Sequence, residues 1–256
     1  MFESASRKLH LKSAVMLSSL EARLDRIMQG WLLIAGLASA VRIATSPAHG
    51  PIGVNGLLPY LLLIFAPFAS MVLAMRWFAD ADNLPQPTSR LAVLGRWRPV
   101  TKLEARRHPL YGTTGIMVSL VVGMLLNVPV RAAEYLAAVP AISGVVPPWL
   151  STLHMLMTLD VVLLSSLYAI AFVAALRRVP LFPRLLVTIW VVDVVMQLSI
   201  AKFTVAQGDL PPTVANALHT LLDGNVTKVM ISVGLWLPYL FLSKRVNVTY
   251  RNRVPA

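Results

Sequence analysis

Two aspartates set within long apolar runs are the residues of this sequence best placed to do chemistry. Asp160 lies inside Trp149 to Leu176, and Asp193 inside Leu181 to about Val205. A carboxylate is costly in hydrocarbon, so such residues face a bundle interior or a wet cavity, where they pair with a cation or relay protons. Counting along the helix places Asp193 about 18 Å and Asp160 about 16 Å from the starts of their runs, which begin at opposite faces, so the two reach similar depths. Arg42, about 22 Å along the first apolar run, is the expected partner of either aspartate. Lys228 approaches them if it bends inward. Asp193, Gln197, Ala201 and Thr204 share one helical face, and Ser151, His154 and Thr158 share another. Two readings follow. One is a polar cavity between spans four, five, one and six, open outward. The other is a buried Asp–Arg or Asp–Lys pair that locks helix packing. Asp160, among Leu156, Met157, Leu163 and Leu164, reads as a single buried partner, whereas the polar row of Asp193 leads toward the outer mouth.

Other chemistries find little support. There is no cysteine, hence no disulfide framework, thiolate nucleophile or cysteine-bound zinc. No Gly-rich phosphate loop, His-Glu-x-x-His or Gly-x-Ser-x-Gly motif occurs. His49, His154 and His219 fall near one side with Glu134, Asp209 and Asp223, but only His219-x-x-x-Asp223 has helical spacing, so neither a metal nor another cofactor is expected. The remaining enzymatic reading uses Asp160, Asp193 and His154 as acid or base on a lipid-linked substrate; no catalytic residue is assigned.

The elements that carry these residues follow from composition. The chain has 256 residues, 57% hydrophobic and 13% charged, with mean hydropathy +0.69, which excludes an ordinary soluble enzyme. Six runs reach the length of about 20 apolar residues that a helix needs to cross a bilayer. They are Ile27–Thr45, Leu57–Phe78, Thr113 to about Val130, Trp149–Leu176, Leu181 to about Val205, and Val226–Leu242. Asn127-Val128-Pro129 interrupts the third, which Ala132–Val139 could extend at the interface. None alternates as a barrel strand does, so the expected fold is all-α, a polytopic transmembrane helix bundle of six spans. Residues 1–26 form a leader, 27–78 spans one and two, 79–111 a basic loop, 112–246 a four-span domain, and 247–256 a tail.

Net charge is +12, and 19 of the 23 Lys and Arg fall in the leader, the loop after span two, the turn after span four, and the tail. Among the remaining loops only Arg131 is cationic. By the positive-inside rule both termini are cytoplasmic. The basic excess is then a topology signal with affinity for anionic headgroups rather than for nucleic acid. In the leader, Leu17, Leu20, Leu24 and Ile27 repeat at helical spacing and Ser18-x-x-Glu21 has the form of a capping box, as in an amphipathic helix lying on the cytoplasmic membrane face. In the basic loop, Leu91, Val93, Leu94 and Trp97 interleave with Arg90, Arg96 and Arg98 as in an interfacial segment, while Pro85, Pro87, Pro99 and Pro109 equally fit a disordered linker.

Two stretches are distinctive. Arg177-Arg178-Val179-Pro180-Leu181-Phe182-Pro183-Arg184-Leu185 is a tight basic turn, and Trp236-Leu237-Pro238-Tyr239-Leu240-Phe241-Leu242-Ser243-Lys244-Arg245-Val246 closes the last span. Trp236, Tyr239, Lys244, Arg245, Arg177 and Arg178 are expected to anchor helix ends at the membrane interface, and Ser243 to bond a carbonyl of the preceding turn. Both stretches resemble the bacterial inner-membrane proteins of the domain-of-unknown-function 2569 family, over about residues 112–246. Those are typically four-span proteins without an established activity, so the resemblance implies a bacterial inner-membrane, multi-pass location and no chemistry. Gly30-Trp31-Leu32 looks like that family's opening, yet here it begins the first of six spans. The leading functional expectation is a protein that binds or passes a small molecule or lipid through an outward-facing polar cavity. The alternative is an accessory or scaffold subunit docking another membrane protein, and an enzyme on a lipid-linked substrate is the third.

Overall fold

The computed structural model describes residues 2–46, 53–87, 95–144, 146–206 and 210–256. Six helices are long and apolar enough to cross a membrane, an architecture compatible with an integral membrane protein. They are α2 (Leu24–Thr45), α3 (Val54–Trp77), α5 (Met117–Ala138), α6 (Pro148–Leu176), α7 (Phe182–Ala206) and α8 (Pro212–Leu242). Three further α-helices, α1 (Phe2–Ala22), α4 (Lys102–Arg107) and α9 (Lys244–Arg251), a short 3-10 helix (Ala81–Asn83) and two short strands, β1 (Trp97–Pro99) and β2 (Arg253–Pro255), complete the described elements.

Helix α6 is the hub. It packs against α3, α5 and α7, and Leu164, Ala171, Phe172 and Ala174 are wholly buried, as expected of a helix that is apolar all round. Helices α2 and α8 lie at the periphery and present Leu33, Ile34 and Leu37, and Met230, Ile231 and Leu235, outward. Such faces suit a hydrocarbon surround. Trp31 ties α2 to its neighbour by donating its indole N–H to the Ile64 carbonyl, 2.8 Å away.

Several local expectations are corrected. Ser18 and Glu21 lie inside α1, where the Ser18 hydroxyl donates to the Val15 carbonyl at 2.9 Å, so they form no capping box. A capping box forms instead at Thr101, whose hydroxyl accepts from the Glu104 N–H while the Glu104 carboxylate accepts from the Thr101 N–H at 2.9 Å. Those bonds hold the Glu104 carboxyl below the usual carboxylate range. Asn127-Val128-Pro129 does not end span three, because α5 runs through it to Ala138. Neighbouring helices can satisfy the carbonyl that a proline frees.

The basic loop is ordered from Gly95 to Arg107, in place of the disordered-linker reading there. Strand β1 pairs antiparallel with β2, Arg98 opposite Val254. Arg90, Leu91, Val93 and Leu94 lie outside the described residues.

The last span also closes differently. Ser243 starts α9 by accepting from the Val246 N–H, and its own N–H donates to the Tyr239 carbonyl. Helix α9 folds back under the bundle: Val246, Val248 and Tyr250 are wholly buried, and Tyr250 donates to the Ala175 carbonyl at 3.0 Å. Arg245 is correspondingly buried, bonded to the Gly112 carbonyl and, at 2.7 Å, to the Thr114 hydroxyl, rather than exposed as a headgroup anchor. Gly112 is held at φ +104° while its N–H donates to Thr249, a conformation that a side chain would strain. Lys244, Arg177 and Arg178 are exposed, Arg178 lying 5.6 Å over the Tyr111 ring, and Trp236 meets Tyr239 edge-on.

Candidate functional site

The polar centre of the bundle is assembled by four helices. On α5, Asn127, Arg131, Glu134 and Tyr135 recur at helical spacing on one face. Opposite them stand Asp160 and Tyr168 on α6, Asp193 and Gln197 on α7, and Asn225 and Lys228 on α8.

Arg131 is the residue that organises this face. Its guanidinium donates to Asp160 at 3.2 Å and to Asp193, while its Nε donates to Asn127 at 3.0 Å. The planar fork of arginine suits this bridging, since its donors point in fixed directions. Gln197 donates to Asp160 at 3.0 Å and more weakly to Asp193 at 3.5 Å, and accepts from the Asn225 amide at 3.2 Å. Tyr168 donates to Asp193 at 3.4 Å, its ring lying 5.8 Å from the Arg131 guanidinium. The Asp193 side chain is wholly buried, and those of Arg131 and Asp160 are 11% and 9% exposed. On the rim, Lys228 pairs with Glu134 and also reaches Asn225. Tyr135 donates to Thr158, whose hydroxyl in turn donates to the His154 carbonyl.

Three small cavities, of about 20, 50 and 100 Å³, lie along the α5, α6, α7 and α8 interface and share lining residues. The first two have Arg131, Glu134 and Asn225 in common, and the second and third share Asn127, Tyr168 and Ser232. A cavity of about 10–15 Å³ suffices for one water when it has polar partners, so each can hold at least one. A separate apolar groove of about 360 Å³ lies between α2, α3, α5 and α6, lined by Ile27, Trp31, Pro67, Met71 and Leu125 among others.

Some of the expected site residues meet here and others do not. Asp160, Asp193 and Gln197 come together, but Asp160 is not a solitary buried partner, since it shares Arg131 with Asp193. Arg42 is not their cation. It lies toward the far end of α2 and donates to the Val139 carbonyl at 3.1 Å. Lys228 does not bend inward to them, because Glu134 holds it at the rim. Arg131, expected in a loop, is the residue missed. Its signal was the Asn127, Arg131, Glu134, Tyr135 periodicity, which the intervening Pro129 masked. Polar cavities accordingly lie among spans three to six, and span one lines the apolar groove instead. His154 is buried on α6, and its Nε2 has no hydrogen-bond partner among the described residues. His219 pairs with Asp223 at 3.0 Å on an exposed face of α8, and His49 and Asp209 lie outside the described residues. Comparison with family models, curated proteins and solved structures yields no match to this chain.

Proposed function

We propose that this is a multi-pass protein of a bacterial inner membrane, with both termini cytoplasmic, that binds and passes a small cation through the Arg131 cluster. The observation that carries the reading is a charge imbalance at the centre of the bundle. Arg131 faces Asp160 and Asp193, and Lys228 faces Glu134, so two cations answer three carboxylates. A net charge there is costly, and one further cation, a proton or a monovalent metal ion, balances it. The string of small cavities supports the same reading by size. Sites for larger ligands occupy roughly 300–1,000 Å³, well above the polar cavities but within reach of a hydrated proton or single ion. Asp160 and Asp193 would hold the cation, Arg131 would fix their spacing, and the Glu134–Lys228 pair would lie where the path opens. The enzymatic reading lacks such support, since His154 makes no hydrogen bond to either aspartate.

The direct assay uses the full chain in sealed vesicles, which should dissipate an imposed proton or sodium gradient faster than protein-free vesicles. Orientation is checked separately. Reporter fusions after Arg98 and Arg178 should read as cytoplasmic and one after Gly144 as external; a cytoplasmic signal at Gly144 contradicts the orientation.

A second reading draws on the apolar groove beside Trp31. As an accessory subunit, the protein would seat a helix of another membrane protein there, its bulk replacing lipid against Pro67 and Met71.

A further inference from the structure

The cavities along the polar centre fall into two sets that meet at a common wall. Those of about 20 and 50 Å³ both reach Glu134 at the rim, and Asp160 lines the first and Asp193 the second. The cavity of about 100 Å³ runs the other way, past Gly123, Leu186 and Trp236, toward the end of the bundle where α9 docks. Asn127, Tyr168 and Ser232 line both the 50 and the 100 Å³ cavities and so stand between the two sets. Two of the three are otherwise engaged. The Asn127 side chain accepts from Arg131 at 3.0 Å, and the Ser232 hydroxyl donates to the Lys228 carbonyl of its own helix at 3.0 Å. Tyr168 is buried, and of the three only its hydroxyl bonds to an aspartate, donating to Asp193 at 3.4 Å.

The groups around the aspartates bear on which cation passes. Arg131, Gln197 and Tyr168 all direct hydrogens at the carboxylate oxygens, and the Gln197 carbonyl oxygen is taken by the Asn225 amide. A hard metal ion must be ringed by oxygen lone pairs. Here N–H and O–H groups occupy those directions. A proton needs one lone pair only, and a tyrosine hydroxyl both donates and accepts.

We infer that the cation is a proton and that Tyr168 relays it between the cavity at the α9 end and Asp193, an inference that rests on reading the Arg131 cluster as a cation path. A protonated water in that cavity gives its proton to the Tyr168 oxygen. In the same step the Tyr168 O–H bond breaks and its proton passes to an Asp193 oxygen, so the water and the tyrosine end neutral and the carboxylate becomes a carboxyl. Rotation of the hydroxyl resets the relay. The charged groups nearest the step are Asp193 itself and Arg131, whose guanidinium lies 5.8 Å from the Tyr168 ring. Lys228 and Glu134 stand further along the same cavity, where the proton leaves.

The test uses the full chain in sealed vesicles with the membrane potential clamped, and compares proton with sodium gradients in wild type and Tyr168→Phe. The variant keeps the ring over Arg131 and loses only the hydroxyl. Wild type should dissipate the proton gradient and hold the sodium gradient. Tyr168→Phe, shown by melting to be folded, should pass protons about a hundredfold more slowly, the low end of what a positioned proton-transfer group contributes. Sodium flux without proton flux in wild type overturns this inference and leaves the cation path standing, as does equal proton flux in wild type and Tyr168→Phe. A wild type tight to both ions removes the cation path and the relay together. Should Tyr168→Phe fail to fold, Gly123→Leu gives the second comparison. A side chain at Gly123 has open space beside it, so it fills the cavity at the α9 end without touching the ion pairs, and unchanged proton flux in that variant overturns the route through Tyr168.

Discussion

Replacing Arg131 with glutamine is expected to destabilise the detergent-solubilised protein by about 3–5 kcal/mol, the cost of stripping one partner from a buried ion pair. The reason is geometric. Asp160 and Asp193 both take their charged hydrogen bonds from this one guanidinium, and only the neutral donors Gln197 and Tyr168 are left to face two carboxylates. Neutralising an aspartate as well should restore much of the loss, so Arg131→Gln with Asp193→Asn should melt well above Arg131→Gln alone. The same rescue is not expected from Arg42→Gln, because Arg42 touches the Val139 carbonyl and neither aspartate. A melting temperature unmoved by Arg131→Gln would mean that the aspartates are neutral or hydrated without it.

The second large effect is at the end of the bundle where α9 docks, where Tyr250→Ala should cost about 3–5 kcal/mol, the range for deleting a buried aromatic ring. Tyr250 is wholly buried, packed on Phe182 and bonded to the carbonyl of Ala175. Its loss opens a cavity beneath the turn between α6 and α7 and unfastens α9, so β2 should leave β1 with it. Hydrogen exchange at Arg98 and Val254 reports that release, while melting reports the energy. Tyr250→Phe keeps the ring and loses only one hydrogen bond, worth about 1 kcal/mol, so it should leave exchange at both positions protected. Unchanged exchange in Tyr250→Ala would show that the strand pair holds without the helix.

The parts of this structure that were legible in the sequence are those governed by local periodicity. Six apolar runs long enough to cross a bilayer became six helices, and counting residues along two of them put Asp160 and Asp193 at one depth. Gln197 follows from Asp193 by one turn. Arg131 was not legible for two reasons. Asn127 and Pro129 are helix-weakening residues in water, yet a packed bundle tolerates them, so span three continues two turns beyond the apolar stretch. A cation near a span end also looks the same in sequence whether it sits in a loop or on the inner face of a helix. The docking of the chain terminus was hidden for a different reason. Trp97–Pro99 and Arg253–Pro255 pair over more than half the chain, and three-residue strands have no pattern long enough to announce their partner. Arg245 illustrates the consequence. Among Ser243, Lys244 and Arg245 it looked like one more interfacial cation, but the return of α9 against Gly112 buries it.

The charge imbalance around Arg131 is tested most directly by cation flux through reconstituted vesicles, comparing wild type with the Asp160→Asn, Asp193→Asn double variant. That variant keeps side-chain size and hydrogen-bonding capacity while removing both negative charges. Its melting temperature should fall, because Arg131 loses both carboxylates, and a single cooperative transition above the assay temperature establishes that it is folded. Wild-type vesicles should lose an imposed proton or sodium gradient faster than protein-free vesicles, and the double variant should fall back to the protein-free rate. Equal rates for wild type and a folded double variant, or a wild type as tight as bare lipid, would contradict it.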